Sequence, residues 1–278
     1  MPTSAINGVQ LYWELSGNGE PVVLVHGSWG DHHNWARVVP ALSNTLRVAT
    51  YDRRGHSRSE RPGSGSIADD VEDLARLIEH LFDGPAHVIG NSFGAAIALR
   101  LAAQRPDLAR SLVVHEPPLF GLLDGNSEAR PVLDAVGERI AAVAALLQAG
   151  DMPGGAQRFV ETVAFGPGAW TQLPQATRET FVFNAPTWLE EIQETESATM
   201  ALDRLSGFSA PTLLSLGGQS PPFFAMVVER VAQALPHAGR YLFAQAGHVP
   251  HLSHPEEYIR VVNGFIRETA TPRGASAV

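Results

Sequence analysis

The 278-residue sequence contains neither cysteine nor lysine, so that all 20 of its Lys and Arg positions are arginines. Without cysteine the chain has no disulfide, no thiolate nucleophile and no cysteine metal site. Without lysine it cannot form a Schiff base, anchor pyridoxal phosphate or complete a Walker-type phosphate loop. These two absences exclude several large classes of enzyme before any motif is considered.

Basic stretches and long apolar runs are absent as well. The formal net charge is −9, and no basic stretch is available to meet nucleic-acid phosphates. No apolar run approaches the roughly 20 residues of a membrane helix. Residues 1–19 are too polar for a signal peptide. We therefore expect a cytoplasmic protein without nucleic-acid or membrane partners, whose oligomeric state stays open.

Short apolar runs alternate with helical patterns in both halves of the chain. Val22–Val25 reads as a buried parallel strand, and residues 67–81 repeat apolar side chains at helical spacing. Such alternation predicts a doubly wound, mostly parallel α/β sheet with helices on both faces. In the middle of the chain the strand patterns stop. We expect an α/β core of residues 1–117 and 207–278, with residues 118–206 forming a helical cap.

The segment Gly90-Asn91-Ser92-Phe93-Gly94 matches G-x-S-x-G between a predicted strand and a predicted helix. In this context a sharp turn projects the serine hydroxyl beyond the sheet, and small residues on either side let strand and helix pass closely. The alternative is an ordinary strand-to-helix turn that happens to contain serine. The flanking strand and helix favour Ser92 as a catalytic nucleophile.

A hydroxyl nucleophile needs a base, and the sequence offers 11 histidines. His248 follows the last predicted strand, at the sheet edge where doubly wound folds bind ligands, so we expect it to be the general base. His251 and His254 lie nearby, but no carboxylate or cysteine pattern supports a metal site with them. We expect neither a metal nor a cofactor.

Four motifs that occur in order along the chain resemble the α/β-hydrolase fold family over nearly its whole length, apart from the insertion. The resemblance implies an oxyanion hole formed by the backbone N–H groups of Ser28 and Phe93. It also implies that Asp52 and Arg54 stabilise the fold. The motifs are His26-Gly27 after a buried strand, the segment from Asp52 to Ser59, the elbow at Ser92, and Gly247-His248.

The sequence departs from the family pattern at the acid of the catalytic triad. Most members carry an aspartate where this chain has Ser220, and serine cannot hold a negative charge against an imidazolium. Glu116, which follows the strand after the nucleophile helix, is a carboxylate at the same sheet edge. A minority of the family places the acid there, including haloalkane dehalogenases and lactonases of the zearalenone-degrading type.

We therefore expect Glu116 to complete the triad with Ser92 and His248. The alternative is a Ser–His dyad with Glu116 on the surface. Because side chains alternate along a strand, His115 should point away from Glu116.

These residues predict acyl transfer on a small, fairly apolar carboxylic ester or lactone. A serine nucleophile argues against dehalogenase and epoxide hydrolase activity, since those members of the family use aspartate. Two alternatives stay open: a carbon–carbon bond hydrolase of the same fold, and a ligand receptor that keeps the fold with little turnover. The presence of both Ser92 and His248 argues against the receptor, because pure binding needs neither.

Overall fold

A computed structural model of the protein describes residues 2–63 and 65–270. Within those residues eight strands form one sheet: β1 Thr3–Ile6, β2 Val9–Ser16, β3 Glu20–Val25, β4 Leu46–Tyr51, β5 Ala86–Asn91, β6 Ala109–His115, β7 Thr212–Gly217 and β8 Gly239–Phe243. The strand order is β1-β2-β4-β3-β5-β6-β7-β8. β2 pairs antiparallel with β1 and β4, and all later pairings are parallel. The predicted doubly wound, mostly parallel sheet is confirmed.

Helices cover both faces of the sheet. Because side chains alternate along a strand, Val23 and Val25 of β3 pack into one apolar cluster, whereas Val22 and Leu24 pack into another on the opposite face. Among the described residues the α-helices are α1 Val39–Leu42, α2 Ile67–Leu81, α3 Phe93–Gln104, α4 Arg130–Gln148, α5 Met152–Phe159, α6 Ala169–Gln172, α7 Gln175–Gln193, α8 Pro222–Ala234, α9 Pro250–Ser253 and α10 Pro255–Ala270. α2, α3 and α8 contribute to the first cluster, and α1 and α10 to the second.

Between β6 and β7 the chain is helical and contains α4 to α7, which we call the helical insertion. The insertion has an apolar cluster of its own, built mainly from residues of α4, α5 and α7. Trp29, from the loop that follows β3, is fully buried in that cluster. One aromatic side chain in the apolar cluster of the insertion therefore comes from the α/β core. No described helix is both long enough and apolar enough to span a membrane.

Candidate active site

Ser92 occupies a strained turn between β5 and α3. Its backbone angles are φ 56° and ψ −124°, a region that residues with a side chain rarely adopt. The glycines on either side permit the turn: a Cβ on Gly90 would lie 2.4 Å from the Gly94 carbonyl oxygen, and one on Gly94 would lie 2.2 Å from the Val25 carbonyl oxygen. The close approach of strand and helix thus requires glycine at both positions.

The loop after β3 lies directly against this turn. A Cβ on Gly27 would be 2.9 Å from Ser92 Cβ and 3.5 Å from Ser92 Oγ. Ser28 is the next residue, so its peptide belongs to the surroundings of the hydroxyl. Phe93 is the first residue of α3, where a backbone N–H has no partner within the helix. The two predicted oxyanion donors therefore belong to segments that flank Ser92.

His248 is hydrogen-bonded to residues at the carboxyl ends of β5 and β6. Its Nδ1 hydrogen-bonds Glu116 Oε2 at 2.6 Å, and the other carboxylate oxygen of Glu116 accepts the Gly217 N–H at 2.7 Å. The side chain of Asn91, the residue before Ser92, donates to the His248 carbonyl oxygen at 2.9 Å. The Glu116 side chain is fully buried, and that of His248 is 18% exposed. The geometry therefore brings the predicted base and acid together beside the serine turn.

The prediction that His115 points away from Glu116 is wrong. His115 Nε2 lies 3.7 Å from Glu116 Oε2, while its Nδ1 hydrogen-bonds Ser215 Oγ at 2.9 Å. Glu116 has a positive φ of 47°, so the strand geometry ends at His115 and the alternation of side chains ends with it. Burial lowers the pKa of His115 to about 4, which makes this second imidazole neutral near pH 7.

Glu116 stays ionised despite its burial. Burial alone would raise its pKa, but the hydrogen bond with His248 and the electrostatic interaction with the two neighbouring histidines hold the pKa of Glu116 below its usual value. The Ser220 hydroxyl adds to the same lowering. Ser220, which stands where most of the family has its aspartate, thus lies beside the glutamate that offers the carboxylate here.

Among residues 2–63 and 65–270, two groups of side chains have ligand atoms close enough together for a metal ion, within 4.8 Å of one another. The first group is Asp31, His32 and His33, and the second is His115, Glu116 and His248. In the first group His32 Nδ1 hydrogen-bonds Asp52 at 2.6 Å, and Asp31 accepts the His33 N–H at 2.8 Å. Hydrogen bonds within the protein thus hold the side chains of both groups in place. In the described part of the chain His251 and His254 belong to neither group.

The family model for the alpha/beta hydrolase fold matches residues 20–255. The chain belongs to the alpha/beta hydrolase fold family. It is an enzyme, a hydrolase of this fold, as its sequence motifs predict.

Several curated relatives match almost end to end. The pimeloyl-[acyl-carrier protein] methyl ester esterase of Aliivibrio salmonicida (strain LFI1238) is 29% identical over 273 residues, which is 92% of this chain and 96% of that protein. The 2-hydroxymuconate semialdehyde hydrolase of Pseudomonas sp. (strain CF600) is 26% identical, over 94% of this chain and 92% of that protein. The solved structure of the enol-lactonase from Burkholderia xenovorans LB400 is similar in fold, with a TM-score of 0.78 and 21% identity, covering 96% of this chain and 100% of that one.

Two further charged residues lie at the site that motif reasoning did not single out. Glu191 of α7 accepts a hydrogen bond from the Ser28 hydroxyl and pairs with the buried Arg53. Arg53 lies within the recognised segment from Asp52 to Ser59, so that its proximity to the loop could have been anticipated. Glu191 carries no such signal, because its placement depends on how the insertion packs.

Proposed function

We propose that the protein is a carboxylic ester hydrolase that forms an acyl-enzyme on Ser92, with His248 as general base and Glu116 as triad acid. The observation that carries the proposal is the 2.6 Å hydrogen bond between His248 Nδ1 and Glu116 Oε2, beside the strained turn at Ser92. A Ser–His dyad would have no use for a fully buried carboxylate on that nitrogen, so this contact favours the triad.

In the proposed cycle the Ser92 hydroxyl attacks the substrate carbonyl while its proton passes to His248 Nε2. The carbonyl oxygen becomes an oxyanion, which accepts hydrogen bonds from the N–H groups of Ser28 and Phe93. The ester C–O bond then breaks, and the proton on Nε2 leaves with the alcohol. Water repeats these steps on the acyl-enzyme, releasing the carboxylic acid and restoring Ser92.

Glu116 has two tasks in this cycle. By accepting the Nδ1 proton of His248 it leaves Nε2 unprotonated and able to take the proton from serine. Its negative charge then stabilises the imidazolium that forms. The lowered pKa of Glu116 supports both tasks, because the carboxylate stays ionised around neutral pH.

We further propose that the helical insertion is the predicted cap and that the substrate is a small, fairly apolar ester or lactone. Aromatic side chains support an apolar site: the Phe224 ring stacks on His248 with centroids 4.5 Å apart, and Phe120 contacts Phe223 at 5.0 Å. The relative named as a methyl ester esterase favours an open-chain ester over a lactone.

Titration of released acid in a pH-stat tests the proposal, with wild type run beside Ser92→Ala on matched methyl esters and lactones. We expect acid release that is lost in the variant, and the better substrate class then distinguishes ester from lactone. Because one relative is named as a 2-hydroxymuconate semialdehyde hydrolase, that compound completes the panel. Its selective turnover would favour carbon–carbon bond hydrolysis. Tight binding of a panel member without turnover would favour the receptor.

A further inference from the structure

Glu191 belongs to the insertion, yet its carboxylate reaches the loop that contains Ser28. The Ser28 hydroxyl donates to Glu191 Oε2 at 2.5 Å, and the Arg53 guanidinium pairs with Oε1. Glu191 is 8% exposed and Arg53 is fully buried. Buried charges are tolerated only when they are closely paired and hydrogen-bonded. These contacts therefore tie α7 to the loop at one defined position.

The same ion pair also contacts the other predicted oxyanion donor. The Arg53 guanidinium carbon lies 4.6 Å from the centroid of the Phe93 ring, a cation–π arrangement. Glu191 is thus linked to Ser28 through a hydroxyl and to Phe93 through Arg53. One carboxylate from the insertion connects to both residues whose N–H groups are proposed to bind the oxyanion.

The loop after β3 is strained, and the insertion holds it in place. Trp29 has a φ of 68°, a conformation that costs a bulky residue about 1–3 kcal/mol. Its ring stacks on Phe159 with centroids 4.6 Å apart and packs against Trp188 at 5.0 Å. The Asn184 amide donates to the carbonyl oxygens of Trp29 at 3.2 Å and Gly30 at 2.9 Å. Strained backbone persists only where its surroundings enforce it, so the insertion maintains this loop conformation.

We propose that Glu191 is a positioning residue: it aligns the N–H groups of Ser28 and Phe93 with the oxyanion, so that turnover requires α7 to be seated on the loop. The inference rests on the proposed function, because it takes these N–H groups as the oxyanion hole. The Arg53 guanidinium offsets the negative charge of Glu191, whereas a lone carboxylate here would repel the developing anion. Since alignment matters in the transition state, losing it lowers kcat and has little effect on KM.

Two variants test the proposal. Ser28→Ala removes the hydroxyl but keeps the backbone N–H and the ion pair. In the wild type one carboxylate oxygen of Glu191 accepts from Ser28 and the other from Arg53, whereas Glu191→Gln has a single oxygen acceptor for the two donors. Each should lower kcat about tenfold and change KM less than about threefold. The double variant should have the same kcat as Glu191→Gln alone, because the contact that Ser28→Ala removes is already lost when Glu191 is replaced. Glu190→Gln, an exposed neighbour on α7, is the matched control and should keep kcat within about twofold.

Active-site titration with a fluorophosphonate distinguishes the outcomes, because it counts reactive serines. Wild-type protein that is not labelled would overturn the proposed function itself. If wild type is labelled and both variants keep its kcat per titrated site, this inference fails while the proposed function stands. Fewer titrated sites with unchanged kcat per site would make Glu191 purely structural and would also overturn the inference.

An alkyl boronic acid, which forms a tetrahedral adduct on serine, gives a second readout. Its affinity should fall by the same factor as kcat in both variants, and unchanged affinity would contradict the proposal. If Glu191→Gln does not fold, Ser28→Ala carries the test alone, since it leaves the buried ion pair intact.

Discussion

Replacing Glu116 by glutamine removes one charge and exchanges one oxygen for an NH2 group. Each carboxylate oxygen now accepts one N–H, from His248 at 2.6 Å and from Gly217 at 2.7 Å. A glutamine can satisfy only one of them with its oxygen, and a buried unsatisfied donor costs about 1–3 kcal/mol. The amide should keep its oxygen on Gly217, because a backbone N–H cannot become an acceptor.

The NH2 group then faces His248, which can accept it on Nδ1 only if the ring proton moves to Nε2. In that tautomer Nε2 carries a hydrogen toward Ser92 and cannot take the serine proton. We expect kcat to fall by about 10³–10⁴, equivalent to about 4–5 kcal/mol of transition-state stabilisation. The fold should survive, since the Gly217 N–H keeps its acceptor and the amide group keeps a hydrogen bond with His248.

The assay is the initial rate of ester hydrolysis per titrated active site, with thermal unfolding as the check on the fold. Glu20→Gln is the matched control: Glu20 Oε2 also hydrogen-bonds a histidine, His87 Nε2 at 2.9 Å, but at the start of β3 and away from the site. The control should retain kcat within about twofold. A Glu116→Gln enzyme that works within about tenfold of wild type would refute the triad assignment and favour a dyad.

Three further predictions concern Ser220, Asp70 and Trp29. Adding Ser220→Asp to Glu116→Gln should recover at least about tenfold of the lost kcat, because Ser220 lies beside the same carboxylate position; no recovery would show that an acid there cannot reach His248. Burial raises the pKa of Asp70 to about 7, so the folded protein binds a proton on this carboxyl more tightly than the unfolded chain does. This proton stabilises the fold fully below the pKa of an aspartate in the unfolded chain, and the stabilisation is lost as the pH rises through about 7. In urea titrations, wild type should therefore lose about 2 kcal/mol more unfolding free energy than Asp70→Asn between about pH 5 and about pH 8, and equal losses would contradict the raised pKa. Trp29→Ala should lower the unfolding free energy by about 3–5 kcal/mol, since the ring is fully buried; a loss below about 1 kcal/mol would mean that the insertion does not depend on it.

Patterns that repeat along the chain were enough to predict most of the core. The helix predicted at residues 67–81 coincides with α2, whose first turn is fixed by a capping box between Ser66 and Asp69. The edge strand β1 escaped prediction because only Ile6 of its four residues is buried, which leaves almost no apolar pattern. Before α1 the chain forms only a short helical turn at His32–Trp35, and Pro40 then favours the start of the helix.

At the site, residues in motifs were predictable and residues brought in by packing were not. Ser92 and His248 could be predicted because each follows a strand that is recognisable from the sequence. Glu116 could be proposed as the triad acid because Ser220 occupies the position where most of the family has an aspartate. The approach of His115 to Glu116 depends on one positive φ, and no side-chain pattern encodes that angle. Glu191 reaches the loop after β3 across 163 residues of chain, a distance at which periodicity carries no information.

The burial of Trp29 among the helices of the insertion bears on how such proteins can be recombined. Helices between two strands look like an exchangeable module, because they are inserted at one point of the chain. Here one aromatic side chain of the insertion's core is encoded about a hundred residues earlier, in the loop after β3. A chimaera that imported foreign helices alone would leave Trp29 without its stacking partners. The smallest unit that can be transplanted is therefore discontinuous in sequence: α4 to α7 together with the loop they enclose.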